Sequence, residues 1–328
     1  MAKILLLELS TSDSCSRSPG RYGGAGSTLR RLAENIPNCY ITAEKSCFED
    51  DVNDKCVPLE KWSIDFIRNG YLSGVNNAKL DNHIVLKDYD ILVYCNPSLV
   101  LETVKPQLVW ALGAYERIHP GIKHLLVHNL KWQQPQIQTP ETKIHEFVLG
   151  IDIPPFEEYQ KEDFIFSCGN QYSQVNSHVL ANWAVRNKMK IVFAGPIDPT
   201  YKKTFLSTID YNWAIYIGQI DEEEKIKLMK KSRCYVDLVL HNINGPRLSV
   251  KQAWSHGCSV ISTSMGIMPE VIQPGINGFL INNEDEFINA IAESKQIKQL
   301  NCYNTSLQWS TEKMCSSFLS VVNNVLGK

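Results

Sequence analysis

Short apolar runs alternate with helical segments along almost the whole chain. Most of the runs are continuous rather than alternating apolar and polar, which is typical of parallel strands covered on both faces. Strands separated by helices indicate βαβ units in an open α/β sheet. The segments predicted to be strands are 3–9, 91–95, 124–128, 164–168, 190–195, 213–218, 234–240, 259–263 and 278–282.

Signals at their ends define two of the predicted helices, and an amphipathic pattern defines a third. The segment 221–232 begins with acidic residues and ends in lysines, and both ends complement the helix dipole. A second helix is predicted with Pro246 at its first position and Gly257 just past its end. The amphipathic segment 307–326 is predicted to be the third. Residues 44–87 carry Asn, Asp and Gly clusters instead, so we expect surface loops and one or two short helices there.

A chain of 328 residues suits two domains. The boundary is expected within 149–163, where two consecutive prolines and a charged run have the composition of a linker. We therefore predict an N-terminal domain over 1–152, a second domain over 153–305, and a closing helix over 306–328 that can pack back on the first. Two doubly wound Rossmann-like domains would face each other across a cleft, with ligands outside the carboxyl ends of the strands.

Charge and cysteine usage narrow the function classes. The net charge of -2 argues against a dedicated nucleic-acid binder. The 10 cysteines are scattered without a CxxC pair, so we expect free thiols in a reducing cytosol. The first apolar run ends at Glu8 and predicts a strand rather than a signal peptide. No apolar run approaches the roughly 20 residues of a transmembrane helix, so a cytoplasmic protein is expected.

Two motifs are candidates for ion binding. In "RYGGAGSTLRR", Gly23, Gly24 and Gly26 would let the backbone approach an anion at a helix start, and a flexible loop with a tight turn explains them equally well. The "DYD" of residues 88–90 has the spacing of a metal motif but precedes its strand, so it would lie at the wrong edge of the sheet. We predict no metal site.

A longer series of residues lies between positions 244 and 280. It comprises Asn244-Gly245, Gln252-Ala253, Gly257, Val260-Ile261, Gly266, Pro269-Glu270-Val271-Ile272 and Asn277-Gly278-Phe279-Leu280. This series resembles the donor-binding region of the retaining, family 4 glycosyltransferases (glycosyl transferases group 1), which have the GT-B fold. The resemblance is good over the C-terminal half and loose over the N-terminal half.

The resemblance implies a sugar transfer from a nucleotide-diphosphate sugar, with retention of configuration and without a metal or other cofactor. It implies the base near Gly218 and Ile220, the ribose at Gln252, and the diphosphate at Gly245 and Arg247. The transferred sugar would lie near the segment 266–270, which contains Gly266, Met268 and Glu270, with His128 and the loop of Gly23 and Gly24 opposite.

The chain departs from the family at the charged positions. The two glutamates of the Glu-x7-Glu motif are replaced by Asn244 and Gln252, and Asn170 stands where the family carries an arginine. Arg247 and Lys251 lie four residues apart, so they are expected on one helix face, where both could bind the donor diphosphate, with Arg247 in the first turn. Asn244 can equally be a helix cap, and Lys251 a solvated surface residue.

Three functions are compatible with these features. The first is a glycosyltransferase acting on a glycan, a lipid or another hydroxyl acceptor, with His128, Arg247 and Asn244 as candidate catalytic residues. The second is a catalytically silent GT-B binding or scaffold protein, which the two amide replacements motivate. The third is a glycosyltransferase for modified bases in DNA, which has only the basic residues of 21–31 in its favour.

Overall fold

The structure is a computed structural model, and it describes residues 1–7, 24–44, 56–59, 77–79, 88–95, 100–111, 118–119, 121–128, 131, 141–239 and 246–328. It divides into two compact units. Unit 1 comprises Met1–Gly150 and Thr311–Lys328, and unit 2 comprises Ile151–Ser310. No helix in the described parts of the chain is long and apolar enough to cross a membrane.

The described strands and helices follow each other closely along the chain. The strands are β1 (Ile4–Leu7), β2 (Cys39–Glu44), β3 (Cys56–Leu59), β4 (Asn77–Lys79), β5 (Ile91–Tyr94), β6 (Val100–Glu102), β7 (Gln107–Trp110), β8 (His124–Val127), β9 (Lys143–Glu146), β10 (Glu162–Cys168), β11 (Ile191–Ala194), β12 (Ala214–Tyr216), β13 (Ser232–Asp237), β14 (Ser259–Thr263) and β15 (Gly278–Ile281). The helices are α1 (Gly24–Asn35), α2 (Ser177–Arg186), α3 (Lys202–Leu206), α4 (Glu222–Lys231), α5 (Leu248–Ser255), α6 (Met268–Val271), α7 (Glu284–Glu293), α8 (Gln299–Ser306) and α9 (Thr311–Leu326).

Unit 1 is built on a parallel sheet. Its described strands run in the order β3-β2-β1-β5-β7-β8-β9, and β4 pairs with β6 in a separate two-stranded sheet. Strands β3 and β4 fall within 44–87, where we expected loops and short helices, so that expectation is wrong at these two places. Strand β3 contains Pro58 and lies at the sheet edge, where the missing N–H of proline is tolerated.

Strand β1, in the interior of the sheet of unit 1, is buried on both faces, as its continuous apolar pattern predicts. In β1, Ile4 and Leu6 pack into one cluster and Leu5 and Leu7 into another, because successive side chains of a strand point to opposite faces. The first cluster contains residues of α1 and of α9, including the fully buried Phe318. Helix α9 therefore covers the same sheet face as α1, although it comes last in the sequence.

Unit 2 is a doubly wound parallel sheet in the order β12-β11-β10-β13-β14-β15. The chain first builds outward from β10 to β12 and then returns to β13 on the other side of β10. The switch point of this topology therefore lies between β10 and β13, which pair in parallel register from Ile165↔Cys234. In open α/β sheets, ligands bind outside the carboxyl ends of the strands at such a point.

The chain enters and leaves unit 2 at adjacent positions. Ile151 and Ser310 form a parallel bridge, and the Ile151 N–H donates to the Trp309 carbonyl oxygen at 2.8 Å. Trp309 in turn stacks on Trp254 of α5, with ring centroids 5.5 Å apart. The two ends of the inserted segment are therefore fixed to each other and to α5.

Two expectations on ions and thiols can be located. The Asp90 carboxylate accepts a hydrogen bond from the Lys3 backbone N–H at 2.9 Å, so "DYD" lies at the amino edge of the sheet, as expected. The cysteines whose side chains are described are free thiols. Among the described residues, no group of three or more His, Cys, Asp or Glu side chains is arranged to hold a metal ion.

Candidate functional site

The carboxyl end of β10 is braced against the carboxyl end of β11. Gly195 has φ +117° and lies so close to the Gly169 carbonyl oxygen that a side chain on it would overlap that oxygen. Buried Gln171 donates from Nε2 to the carbonyl oxygens of Gly169 and Ala194, at 2.9 and 3.0 Å. The turn after β10 is therefore a fixed backbone surface beside the switch point.

Arg247 is the cation at this surface. Its Nη1 donates to Asp237 Oδ1 at 2.7 Å, and Asp237 is the last residue of β13. A Cβ added to Gly169 would lie 2.5 Å from Arg247 Nη2, so the guanidinium lies directly over the turn after β10. The Asp237 charge raises the pKa of Arg247 against the opposing effect of burial. The guanidinium is thus a fixed positive charge across the ends of β10 and β13.

The start of α5 differs from the prediction. The helix begins at Leu248, and Arg247 is its N-cap with φ -56° and ψ 152°, so neither Pro246 nor Arg247 is in the first turn. The Arg247 carbonyl oxygen accepts from the Val250 and Lys251 N–H groups. Its extended backbone directs the side chain toward Asp237 rather than along the helix surface. The positive end of the α5 dipole and the guanidinium lie together at this point.

Lys251 does not share this environment. Only 2% of Lys251 is exposed, and its ammonium lies 5.5 Å from the centre of the Trp309 ring. Burial lowers the pKa of Lys251 to about 7. Lys251 is therefore not a solvated surface residue. It also does not share a helix face with Arg247, because Arg247 precedes the helix and contacts Asp237 instead.

Gln252 contacts an acidic residue of the neighbouring helix. Its Nε2 donates to Glu222 Oε1 at 2.6 Å, and Lys225 Nζ donates to Glu222 Oε2 at 2.5 Å. Glu222 is the first residue of α4, whose N-cap Asp221 accepts from the Glu224 N–H. The Gln252 side chain is therefore hydrogen-bonded to the Glu222 carboxylate, although the two residues are thirty positions apart in the sequence.

The loop predicted to hold the base comes directly before α4. Gly218 has φ +82°, and its carbonyl oxygen accepts from the Gly195 N–H at 2.8 Å. Ile220 is half-buried and precedes the N-cap of α4. This loop is thus hydrogen-bonded to Gly195. Gly195 in turn packs on the Gly169 turn, over which the Arg247 guanidinium lies.

The loop predicted to face the sugar follows β14. Gly266 is buried with φ +56°, a left-handed conformation that favours glycine. Met268 is fully buried in the short helix α6, whereas Glu270 is exposed. The hydroxyls of Ser262 and Thr263 donate to the carbonyl oxygens of Asp237 and Val239, which fixes this loop to the end of β13.

The other predicted site residues are placed as follows. The His128 ring follows β8 in unit 1 and packs edge-on against Trp110, with centroids 5.4 Å apart, and beside Phe147. Gly24 is the first residue of α1. Gly23, Asn244 and Gly245 lie outside the described residues.

Sequence reasoning missed the acidic half of this site. Asp237 and Glu222 carry the hydrogen-bonded carboxylates, and neither was singled out. A signal was present for Glu222, which comes two residues after Ile220 of the expected base loop, whereas Asp237 lies inside the predicted strand 234–240 and only the structure shows it at a strand end. We interpreted the acidic turn only as a complement to the helix dipole.

Comparison with known proteins places this arrangement in a fold class. The structure is similar to AviGT4, a glycosyltransferase involved in avilamycin A biosynthesis, with 14% identity, TM-score 0.68 and coverage of 100% of this chain and 98% of that one. It is similar to a glycosyltransferase from Rickettsia africae, with 15% identity, TM-score 0.69 and 99% coverage of each chain. For Anabaena HepE in complex with UDP and glucose, the identity is 13%, the TM-score 0.69, and the coverage 99% of this chain and 100% of that one. The chain has the GT-B fold.

A family comparison agrees with the fold. Residues 172–295 match the sequence model of the family "Glycosyl transferases group 1", which confirms the expected resemblance to that group. The matched range contains Glu222, Asp237, Arg247 and Gln252 and ends in unit 2. A search of curated proteins found no match.

Proposed function

We propose that the protein is a glycosyltransferase that moves a sugar from a nucleotide-diphosphate sugar to a hydroxyl of an acceptor, which is a glycan, a lipid or another hydroxyl compound. The family match over 172–295 supports the reaction class. The similarity to HepE, which was crystallised with UDP and glucose, supports a nucleotide sugar as the donor. The switch-point position of the site is where a doubly wound sheet binds nucleotides.

One observation carries this proposal: the Arg247 guanidinium is held by Asp237 over the Gly169 turn, at the start of α5. When a sugar leaves its nucleotide, negative charge develops on the departing diphosphate. A cation that is already oriented stabilises this charge without reorganisation during the reaction. The N–H groups of the first turn of α5 add a favourable dipole for the same anion.

The proposal extends to stereochemistry, metal use and location. Retention of configuration follows from the resemblance to family 4. A protein cation at the diphosphate would allow transfer without a divalent metal, so we propose that the reaction requires no metal ion. Free cysteines at the described positions are typical of proteins from a reducing compartment, and we place the protein in the cytoplasm.

Donor binding is tested by thermal denaturation with UDP, GDP, ADP and CDP and their glucose conjugates, each with Mg²⁺ and with EDTA. A ligand at about 100 times its dissociation constant stabilises a protein by roughly 2.7 kcal/mol, which is a clear shift in Tm. We expect one nucleotide series to raise Tm equally in Mg²⁺ and in EDTA. The shift should be lost in Arg247→Gln and retained in Arg186→Gln, which removes the same charge from an exposed site in unit 2.

The outcomes separate the alternatives. Nucleotide binding accompanied by slow release of free sugar, both reduced in Arg247→Gln, supports a transferase. Binding with no sugar release from any donor would favour the catalytically silent GT-B protein, which the amides Asn244 and Gln252 motivate. If no nucleotide changes Tm, the proposed function is wrong.

A further inference from the structure

We infer that Glu222 binds the 2′-hydroxyl of the donor ribose, and so makes the site specific for ribonucleotides. This inference rests on the proposed function, because it assigns a part of the same nucleotide site. Glu222 is not among the residues that the sequence pattern picks out. It is identified by its place between two other parts of the site and by the side chains that hold it.

The position of Glu222 follows the order of a nucleotide. The loop of Gly218 and Ile220, predicted to face the base, leads directly into α4, and Glu222 is the first residue of that helix. On the other side, Gln252 lies in α5, whose N-cap is Arg247. Glu222 is hydrogen-bonded to Gln252, so it lies between the base loop and the helix that begins at the diphosphate cation. In a nucleoside diphosphate, the ribose occupies this middle position.

The Glu222 carboxylate accepts hydrogen bonds from two side chains and can still accept more. Gln252 Nε2 donates to Oε1 at 2.6 Å and Lys225 Nζ donates to Oε2 at 2.5 Å. A carboxylate offers about four acceptor positions, so these two bonds leave further lone pairs. The Glu222 side chain is 43% exposed, whereas that of Lys225 is 17% exposed. The carboxylate is therefore oriented by its neighbours and open to a ligand.

The charges of this cluster reach the same strand end as Arg247. Burial raises the pKa of the Cys168 thiol to about 11, while the positive charges of Lys225 and Arg247 lower it and the negative charge of Glu222 raises it. Cys168 is the last residue of β10, beside the Gly169 turn. All three charges therefore act on the thiol at the end of β10, beside the switch point.

The chemistry favours a hydroxyl donor at this position. A ribose hydroxyl donates to a carboxylate, and Rossmann-like sites use an acidic residue for the ribose 2′-hydroxyl. Gln252 donates its amide to Glu222, so it fixes the carboxylate rather than replacing it. The interaction is a hydrogen bond to a charged acceptor, which is the stronger class.

The test measures the dissociation constants of UDP, GDP, ADP and CDP and of their 2′-deoxy counterparts by titration calorimetry. The proteins are the wild type, Glu222→Gln, and Glu223→Gln, which removes the same charge from an exposed position in the same helical turn. For the nucleotide that binds best, we expect the wild type to prefer the ribo form by about tenfold or more, as for a hydrogen bond to a charged group. The preference should fall to about twofold in Glu222→Gln and remain in Glu223→Gln.

A second variant separates binding from helix stability. Gln252→Met leaves the carboxylate in place but removes its orienting bond, so we expect a smaller loss of the ribo preference, with weaker binding of the ribo form only. If Glu222 serves only α4, ribo and deoxy affinities will fall together in Glu222→Gln, or not at all, and the inference is wrong. If the wild type binds none of the nucleotides, the proposed function fails first. If it binds them without a ribo preference, only this inference fails.

Discussion

Arg247 and Asp237 join the start of α5 to the end of β13 through one ion pair, with Nη1 and Oδ1 2.7 Å apart. The Asp237 side chain is 4% exposed and that of Arg247 is 24% exposed, so the pair is unequal in its access to water. Asp237 fixes the guanidinium, and the guanidinium compensates the buried carboxylate. The same contact therefore contributes to the site and to the stability of unit 2.

Breaking this pair is expected to destabilise the protein. Arg247→Met leaves the Asp237 carboxylate buried without its cation, and we expect a loss of about 2–4 kcal/mol in the free energy of unfolding. Asp237→Asn should cost less, since its amide oxygen can still accept from the guanidinium. The double variant Arg247→Met with Asp237→Asn should recover part of the loss, because the buried carboxylate that would lack its cation is also removed. Urea denaturation of all four proteins gives the coupling energy, and strictly additive effects would contradict a coupled pair.

Lys251→Met is expected to stabilise the protein near neutral pH. The pKa of Lys251 is lowered to about 7 by burial, against about 10.4 in an unfolded chain. Between these values the unfolded state binds more protons, so wild-type stability rises with pH. We expect the methionine variant to be about 2–4 kcal/mol more stable at pH 7, the gain being reduced by the lost contact with Trp309.

The pH dependence is the decisive measurement for Lys251. The advantage of the methionine variant should shrink as pH rises above 7 and disappear near pH 10.5. Lys203→Met provides the control, because Lys203 is exposed in α3 of the same unit. An advantage of Lys251→Met that is constant from pH 7 to pH 10 would show that the lysine is not neutralised on burial.

The histidine pair of unit 1 predicts acid sensitivity. His124 Nδ1 and His145 Nε2 lie 3.0 Å apart, so one neutral ring donates to the other. Burial lowers the pKa of both rings, and the charges of Lys143 and Lys123 also lower that of His124. The folded state thus binds fewer protons than the unfolded chain below about pH 6.5, so stability should fall as pH decreases from there.

Removing one ring of this pair should make the protein's stability less dependent on pH below neutrality. We expect the Tm of His145→Gln to change less between pH 7 and pH 5 than that of the wild type, with His119→Gln as a control outside the pair. Thermal scans at half-unit pH intervals give the comparison. Parallel curves for the wild type and His145→Gln would count against the pair as the source of acid sensitivity.

The close approach of Gly195 to the Gly169 carbonyl oxygen, beneath Arg247, can be tested with Gly275 as a matched control. Both have positive φ, +117° and +76°, so alanine is strained at each. At Gly275 nothing lies within 4 Å of an added Cβ, whereas at Gly195 that Cβ would overlap the Gly169 carbonyl oxygen. We expect Gly275→Ala to lower the free energy of unfolding by about 1 kcal/mol, and Gly195→Ala to lower it clearly more. Gly195→Ala should also weaken nucleotide binding, because it displaces the Gly169 turn. Equal unfolding free energies for the two variants would show that the Gly169 turn yields easily.

The sequence pattern predicts the strands of unit 2 well because they are continuous apolar runs in a fully covered sheet. It also predicts the end of α5, since Gly257 has φ +65° just past the helix. The start of α5 is missed by two residues, because the ion pair to Asp237 holds Arg247 outside the helix. Helix boundaries of this kind depend on tertiary contacts that a local pattern does not contain.

The site is less accessible to sequence reasoning than the fold. Arg247 was predicted from its place at the expected start of a helix, and the structure gives it a defined partner. Glu222 was not singled out, and the buried position of Lys251 was not predicted, because an acidic first turn and a lysine in a helix are both common on surfaces. Only the three-dimensional arrangement shows that Glu222 meets Gln252 and that Lys251 is buried against Trp309.

The bridge between Ile151 and Ser310 gives unit 2 the character of a domain insertion. Because the two ends of 151–310 are hydrogen-bonded neighbours, the segment can be removed or exchanged without separating distant chain ends. A deletion variant is equally accessible, with 150 and 311 joined by a short linker to leave unit 1 as a continuous chain. The modular architecture thus makes it possible to exchange unit 2 for the corresponding unit of another protein by cutting the chain at two positions that lie side by side.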